Sequence, residues 1–154
     1  DIGRFVLFQL APSALDETDA KGWHTPQELS DVERELLGFD HAKVGYITCK
    51  KLNLPQLLIN MVRYHHHYEI VEHPRAPKEL QELSLIVQFA DSVSVFLSQN
   101  PKWKKWSEPE LIIEISNNCI HKAWLNQELP VKALVHALPM LTEKTANTCR
   151  SLGV

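Results

Sequence analysis

Residues 25–67, TPQELSDVERELLGFDHAKVGYITCKKLNLPQLLINMVRYHHH, carry enough helix punctuation to decide the fold class. Thr25 can cap a helix, Pro26 takes its first position, and Glu28 supplies the carboxylate of a capping box. Gly38 ends that helix, because glycine enters the left-handed region at no steric cost. Asp40 caps a second helix, and Asn53-Leu54-Pro55 turns the chain into a third. In the second, Val44, Ile47 and Lys51 or Leu52 continue one inward face, and His41 precedes Val44 by one turn. In the third, the stripe is Leu58, Met61, Val62 and His65, with His66 one turn after Val62. Helical punctuation without strand-like alternation predicts an all-α fold.

Working outward, an apolar helix spans about Ile2 to Leu10 and stops before Pro12. Ala11 to His24 is polar and reads as a loop, and Glu72 to Lys78, with Pro74 and Pro77, as a connection. A long helix follows, with Leu83, Ile86, Val87, Ala90, Val93 or Ser94, and Leu97 inward; Asn100-Pro101 ends it. Two more helices are expected, about Glu110 to Trp124 and Val131 to Leu152, the second bending or breaking at Pro139. The 154 residues and 44% hydrophobic content suit one domain, 1–154. The chain opens at Asp1 within an apolar helical pattern and without an N-cap signal, so an upstream segment is expected.

The charge balance excludes some functions. A net charge of −3 and a pI near 6.2 give no basic footprint for nucleic acid. Lys102-Trp103-Lys104-Lys105-Trp106 interleaves bases and aromatics, but a solvated loop pinned by its tryptophans is the better account. No apolar run approaches the ~18 residues that a membrane span needs. Cys49, Cys119 and Cys149 form no CxxC pair and read as structural thiols of a reduced, cytoplasmic protein.

Several metal-type ligands fall where helical phase places core residues: Asp1, His41, His65, His66 and Asp91. Buried imidazoles and carboxylates must bond one another or a cation. Helices can aim such ligands at one point, and an N/O donor set suits Fe, Mn, Zn or Mg. With eight histidines in the chain, some clustering also arises by chance. Residue chemistry alone therefore leaves two readings, a shared divalent-metal site or hydrogen-bonded core histidines. His24, His73, His121 and His136 read as surface residues.

The ordered motifs resemble a known family. DIGRFVLFQ is similar to the continuation of the Leu-Leu-His-Asp-Ile-Gly helix of the HD superfamily, with Asp1 as the aspartate of the His-Asp pair. ELLGFDHAKVGYITCKKLNLP (35–55), INMVRYHH (59–66) and IVQFADSVSVF (86–96) resemble the segments that follow, in order, up to about Leu97. The Gly-Phe-Asp-His, Leu-Pro and Arg-Tyr-His-His flavour is most similar to HDOD domains. The Gly-Tyr-Pro element of the cyclic-dinucleotide phosphodiesterases does not follow His66.

The resemblance implies an HD-domain, phosphodiesterase-like helical bundle, preceded in intact members by another helical lobe. It assigns Asp1, His41, His65, His66 and Asp91 to metal-ligand positions. Arg4 falls where active relatives often carry a lysine that touches a substrate phosphate, and His67 becomes a neighbour. Two functions follow: a bacterial regulatory module contacting a protein partner or attached signalling domain, or a metal-dependent phosphohydrolase acting on a phosphate ester.

Overall fold

The computed structural model describes residues 1–152, which form eight α-helices and three short 3-10 turns, with no strand among them. In chain order the helices are α1 (Ile2–Leu10), α2 (Pro12–Lys21), α3 (Pro26–Leu37), α4 (His41–Lys51), α5 (Gln56–Tyr64), α6 (Lys78–Gln99), α7 (Glu108–Asn118) and α8 (Val131–Leu152). The 3-10 turns are Tyr68–Glu72, Pro101–Lys105 and Lys122–Trp124. The all-α expectation is met.

The expected caps form. Thr25 accepts from the Glu28 amide, Gly38 sits at φ 76°, and Asp40 accepts from the Lys43 amide. The Glu28 carboxylate returns to the amide of His24, at 2.7 Å, so the reciprocal half of the box is shifted by one residue. Asp1 itself caps α1, its Oδ1 accepting from the Gly3 amide at 2.8 Å.

Four expectations need correction. Residues 12–21 are a helix, not a loop: Pro12 occupies its first turn, and Leu15 and Thr18 are the side chains it buries. So few inward residues leave almost no periodic signal. The region expected as one helix to Trp124 ends at Asn118, and α8 stays helical through Pro139. The inward faces of α4 and α6 are also displaced from the apolar stripes. On α4 the buried residues are His41, Ala42, Gly45 and Cys49, whereas Ile47 and Leu52 are exposed. On α6 they are Leu80, Ser84, Gln88, Phe89 and Val93, whereas Ile86 is exposed. By length and apolarity α6 is also a candidate membrane span, contrary to expectation, yet here it packs against α5, α7 and the Tyr68–Glu72 turn and buries Ser84 and Gln88.

Close packing explains the face of α4. A Cβ on Gly3 would lie 1.9 Å from the His41 carbonyl oxygen, and one on Gly45 would lie 2.8 Å from Val62 Cγ1. Only residues without side chains let α1, α4 and α5 approach this closely, so the small residues rather than the largest apolar ones face inward.

The interior divides by chemistry. The Tyr68–Glu72 turn, α6, α7, the Lys122–Trp124 turn and α8 enclose a hydrocarbon core that includes Phe89, Val93, Ile115, Trp124 and Val135. Trp103 and Trp106 pack against it, as expected of loop anchors. Around α3, α4 and the end of α5 the buried residues include Ser30, Glu33, Asp40, His41, His65 and His66. This second centre is polar.

Candidate metal centre

His41 begins α4, fixed there by the Asp40 cap. Burial would raise the Asp40 carboxyl, but the Lys43 amide and the Arg34 guanidinium outweigh it and hold it below its usual value. Arg34 Nε donates to Asp40 at 2.7 Å. His65 is the C-cap of α5, and His66 and His67 turn the chain away. Gln88 of α6 holds this turn, its Nε2 donating to the carbonyls of Tyr64 (3.3 Å) and His67 (3.1 Å).

These elements converge on one point. Asp1, His41, His65 and His66 each offer a ligand atom, all within 4.8 Å of one another. His41 Nε2 lies 2.7 Å from His66 Nε2, 3.2 Å from His65 Nε2 and 2.8 Å from Asp1 Oδ2. His65 Nε2 is 3.4 Å from Asp1 Oδ2. Ligands about 2.0–2.2 Å from a shared ion are separated from one another by roughly these distances. Gly3 and Gly45 make the convergence geometrically accessible by letting α1 bring Asp1 against α4.

The outer hydrogen bonds set the tautomers. His41 Nδ1 lies 2.5 Å from Glu33 Oε2, and His65 Nδ1 lies 2.7 Å from the Val62 carbonyl. Both contacts are to acceptors, so each Nδ1 carries the proton and, in the neutral rings, each Nε2 presents a lone pair inward. Asp1 Oδ2 adds another acceptor. A single proton on His41 Nε2 could serve one of these neighbours, whereas a divalent ion meets all four ligand atoms. Burial, with His41 adding to it, lowers the pKa of His65, although the Val62 bond opposes the shift. Burial, followed by His65 and His41, pushes His66 down to about 2. Both shifts favour the neutral imidazole at His65 and His66, the form that binds a cation.

Two expected residues stand differently. Asp91 is half-buried and outside the four-residue group; it lines a cavity of about 400 Å³ beside Asp1 and His65. Burial raises its carboxyl pKa despite the opposing pull of His65 and His41. Arg4 reaches Asp19 at 3.2 Å, and its Nη1 lies 3.9 Å from Glu33 Oε1. It thus meets the carboxylate on the Nδ1 side of His41, opposite the converging Nε2 atoms. His67 is exposed, and so are His24, His73 and His136. His121, expected on the surface, instead stacks against Tyr68 and Trp124 with centroids 4.5 and 5.8 Å away.

Glu33 is the residue that sequence reasoning missed. Its side chain is fully buried, and one oxygen accepts from both the amide and the ring of His41. The signal was present: Glu33 follows Leu29 by one turn on the buried face of α3. A carboxylate on an apolar stripe is the same anomaly that singled out Asp91.

The family model of the HDOD domain matches residues 1–68. This segment is similar to HDOD domains. The matched HDOD segment contains all four converging ligands as well as Glu33 and Arg4, and it ends where the hydrocarbon core begins. Asp91 lies outside it. Searches of curated proteins and of solved structures found no match.

Proposed function

We propose that this chain is an HDOD-type regulatory module of bacterial cytoplasmic signalling, which works by contact with a protein partner or an attached domain. Its His/Asp cluster holds a divalent ion that ties α1, α4 and the end of α5 together. Three imidazoles and one carboxylate favour zinc, iron or manganese over magnesium, which prefers oxygen donors. A bound ion supplies positive charge to the buried donors and, where a coordination position stays open, Lewis acidity.

The observation that carries the regulatory reading is the engagement of Arg4. The side chain best suited to a substrate phosphate instead neutralises Asp19 and Glu33 and braces the carboxylate that orients His41. The second reading, phosphate-ester hydrolysis, has one observation in its favour: the cavity beside Asp1, His65 and Asp91 leaves room next to the cluster.

Metal analysis of the whole protein, followed by assays with a generic phosphodiester and with cyclic dinucleotides, tests both. The regulatory reading expects bound metal that is lost in His66→Ala, and no turnover. Metal-dependent hydrolysis that disappears in His66→Ala would replace it with the enzyme reading. Absence of metal binding at micromolar concentration would remove the shared site.

A further inference from the structure

The outer face of α4 differs in character from the face that carries His41. A cavity of about 420 Å³ lies there, between the α3–α4 corner and the end of α5, lined in part by Phe39, Lys43, Tyr46, Ile47, Arg63 and His67. Its volume is in the roughly 300–1,000 Å³ range of small-molecule sites. Asp1, His41, His65 and His66 do not line it, so it is separate from the metal cluster.

Its charges are unbalanced although the chain is acidic overall. Among the described residues, neither Lys43 nor Arg63 has a carboxylate within salt-bridge distance, and neither does the neighbouring Lys50. The carboxylate in the wall, Asp40, is already occupied by Arg34 Nε (2.7 Å), Ser30 Oγ (3.3 Å) and the Lys43 amide (2.9 Å). It therefore does not neutralise the two free cations. Arg63 is held rather than loose: its guanidinium sits 5.0 Å from the Tyr46 ring centroid and 5.1 Å from that of Tyr64. Such stacking fixes the group and leaves its N–H edge available for an oxyanion.

Part of the wall is apolar. Phe39 is 36% exposed and Ile47 45% exposed. Both line the same concave site as Lys43 and Arg63. We propose that this cleft binds a small anionic ligand bearing a planar ring, of the nucleoside-phosphate class. Lys43 and Arg63 would take the phosphate and Phe39 with Ile47 the ring. A broad acidic protein surface fits less well, since the cations line a concavity and not a flat patch.

Calorimetric titration of the whole protein with AMP, GMP and inorganic phosphate at low salt tests this. The nucleotides are expected to bind with a dissociation constant on the order of 0.1 mM and more weakly as salt rises. Lys43→Ala and Arg63→Ala each weaken them at least about tenfold, as expected for loss of a charge-assisted contact. Phe39→Ala weakens nucleotides but not phosphate. Lys132→Ala, an exposed substitution on α8, leaves binding unchanged. The altered side chains are exposed, and urea midpoints equal to the parent's establish that each variant is folded. The proposal is overturned if no nucleotide binds at millimolar concentration, or if phosphate binds as tightly as the nucleotides. It is equally overturned if Lys43→Ala and Arg63→Ala bind normally, or if an Asp/Glu-rich peptide binds in preference to the nucleotides.

Discussion

Replacing Glu33 with glutamine keeps the shape of the side chain and removes its charge. In the native chain one carboxylate oxygen accepts from the His41 amide at 2.7 Å and lies 2.5 Å from Nδ1, while the other faces Arg4 Nη1 at 3.9 Å. A glutamine can satisfy His41 only by turning its NH2 toward Arg4 Nη1, which sets donor against donor. Turned the other way, it favours the His41 tautomer whose Nε2 carries the proton and cannot bind a cation. Outer-shell substitutions of this kind typically weaken metal binding about 10–100-fold, or roughly 1.4–2.7 kcal/mol. Glu33→Ala goes further. It leaves Arg4 with Asp19 alone and both His41 donors unpaired, costing about 1–3 kcal/mol of folding stability for each unpaired donor. Competition titrations with a chromophoric zinc chelator read the first effect, and urea unfolding in excess chelator reads the second. Metal affinity in Glu33→Gln within about twofold of the parent, well inside that range, would refute the assignment of Glu33 as the group that orients His41.

Gly3→Ala is expected to cost at least about 1–3 kcal/mol, because its Cβ would fall 1.9 Å from the His41 carbonyl oxygen and force α1 off α4; an unchanged urea midpoint would contradict the close crossing. In metal-free protein, stability should fall as pH drops below 6.5. The unfolded chain then takes a proton that His66, depressed to about 2 by burial and by His65 and His41, refuses. That linkage removes about 1.4 kcal/mol per pH unit, hence about 2 kcal/mol between pH 6.5 and 5 through His66 alone. His65 acts in the same direction, and the raised Asp91 carboxyl opposes both where it titrates. A flat series of urea midpoints across that window would count against buried neutral imidazoles. Thiol labelling should mark Cys149 first, since Cys49 and Cys119 are buried and burial pushes the Cys119 thiol up to about 12. Fast labelling of Cys119 in the folded protein would show that the hydrocarbon core opens.

The helix punctuation at Thr25, Pro26, Gly38, Asp40 and Pro55 was legible because capping and backbone restriction act over a few neighbouring residues, without help from the rest of the fold. The inward phase of His41, His65 and His66 was legible for the same reason. Several features were not. The α2 helix buries too little to leave a periodic trace. The true faces of α4 and α6 depend on Gly3, Gly45 and Gln88, whose roles exist only where another helix touches them. Glu33 lay in view on the α3 stripe, yet its meaning required the position of His41, eight residues further on. The sequence by itself determined most of the helices, the ends marked by caps, proline or glycine, and the chemical types of the candidate ligands, all properties of local backbone and side-chain chemistry. Tertiary structure alone decided which candidate ligands meet, that Arg4 turns to Glu33 and Asp19, and that Asp91 lines the cavity beside the group of four. Those outcomes depend on how closely the helices pass, to within an ångström or two, and close approach is a property of packing between distant segments.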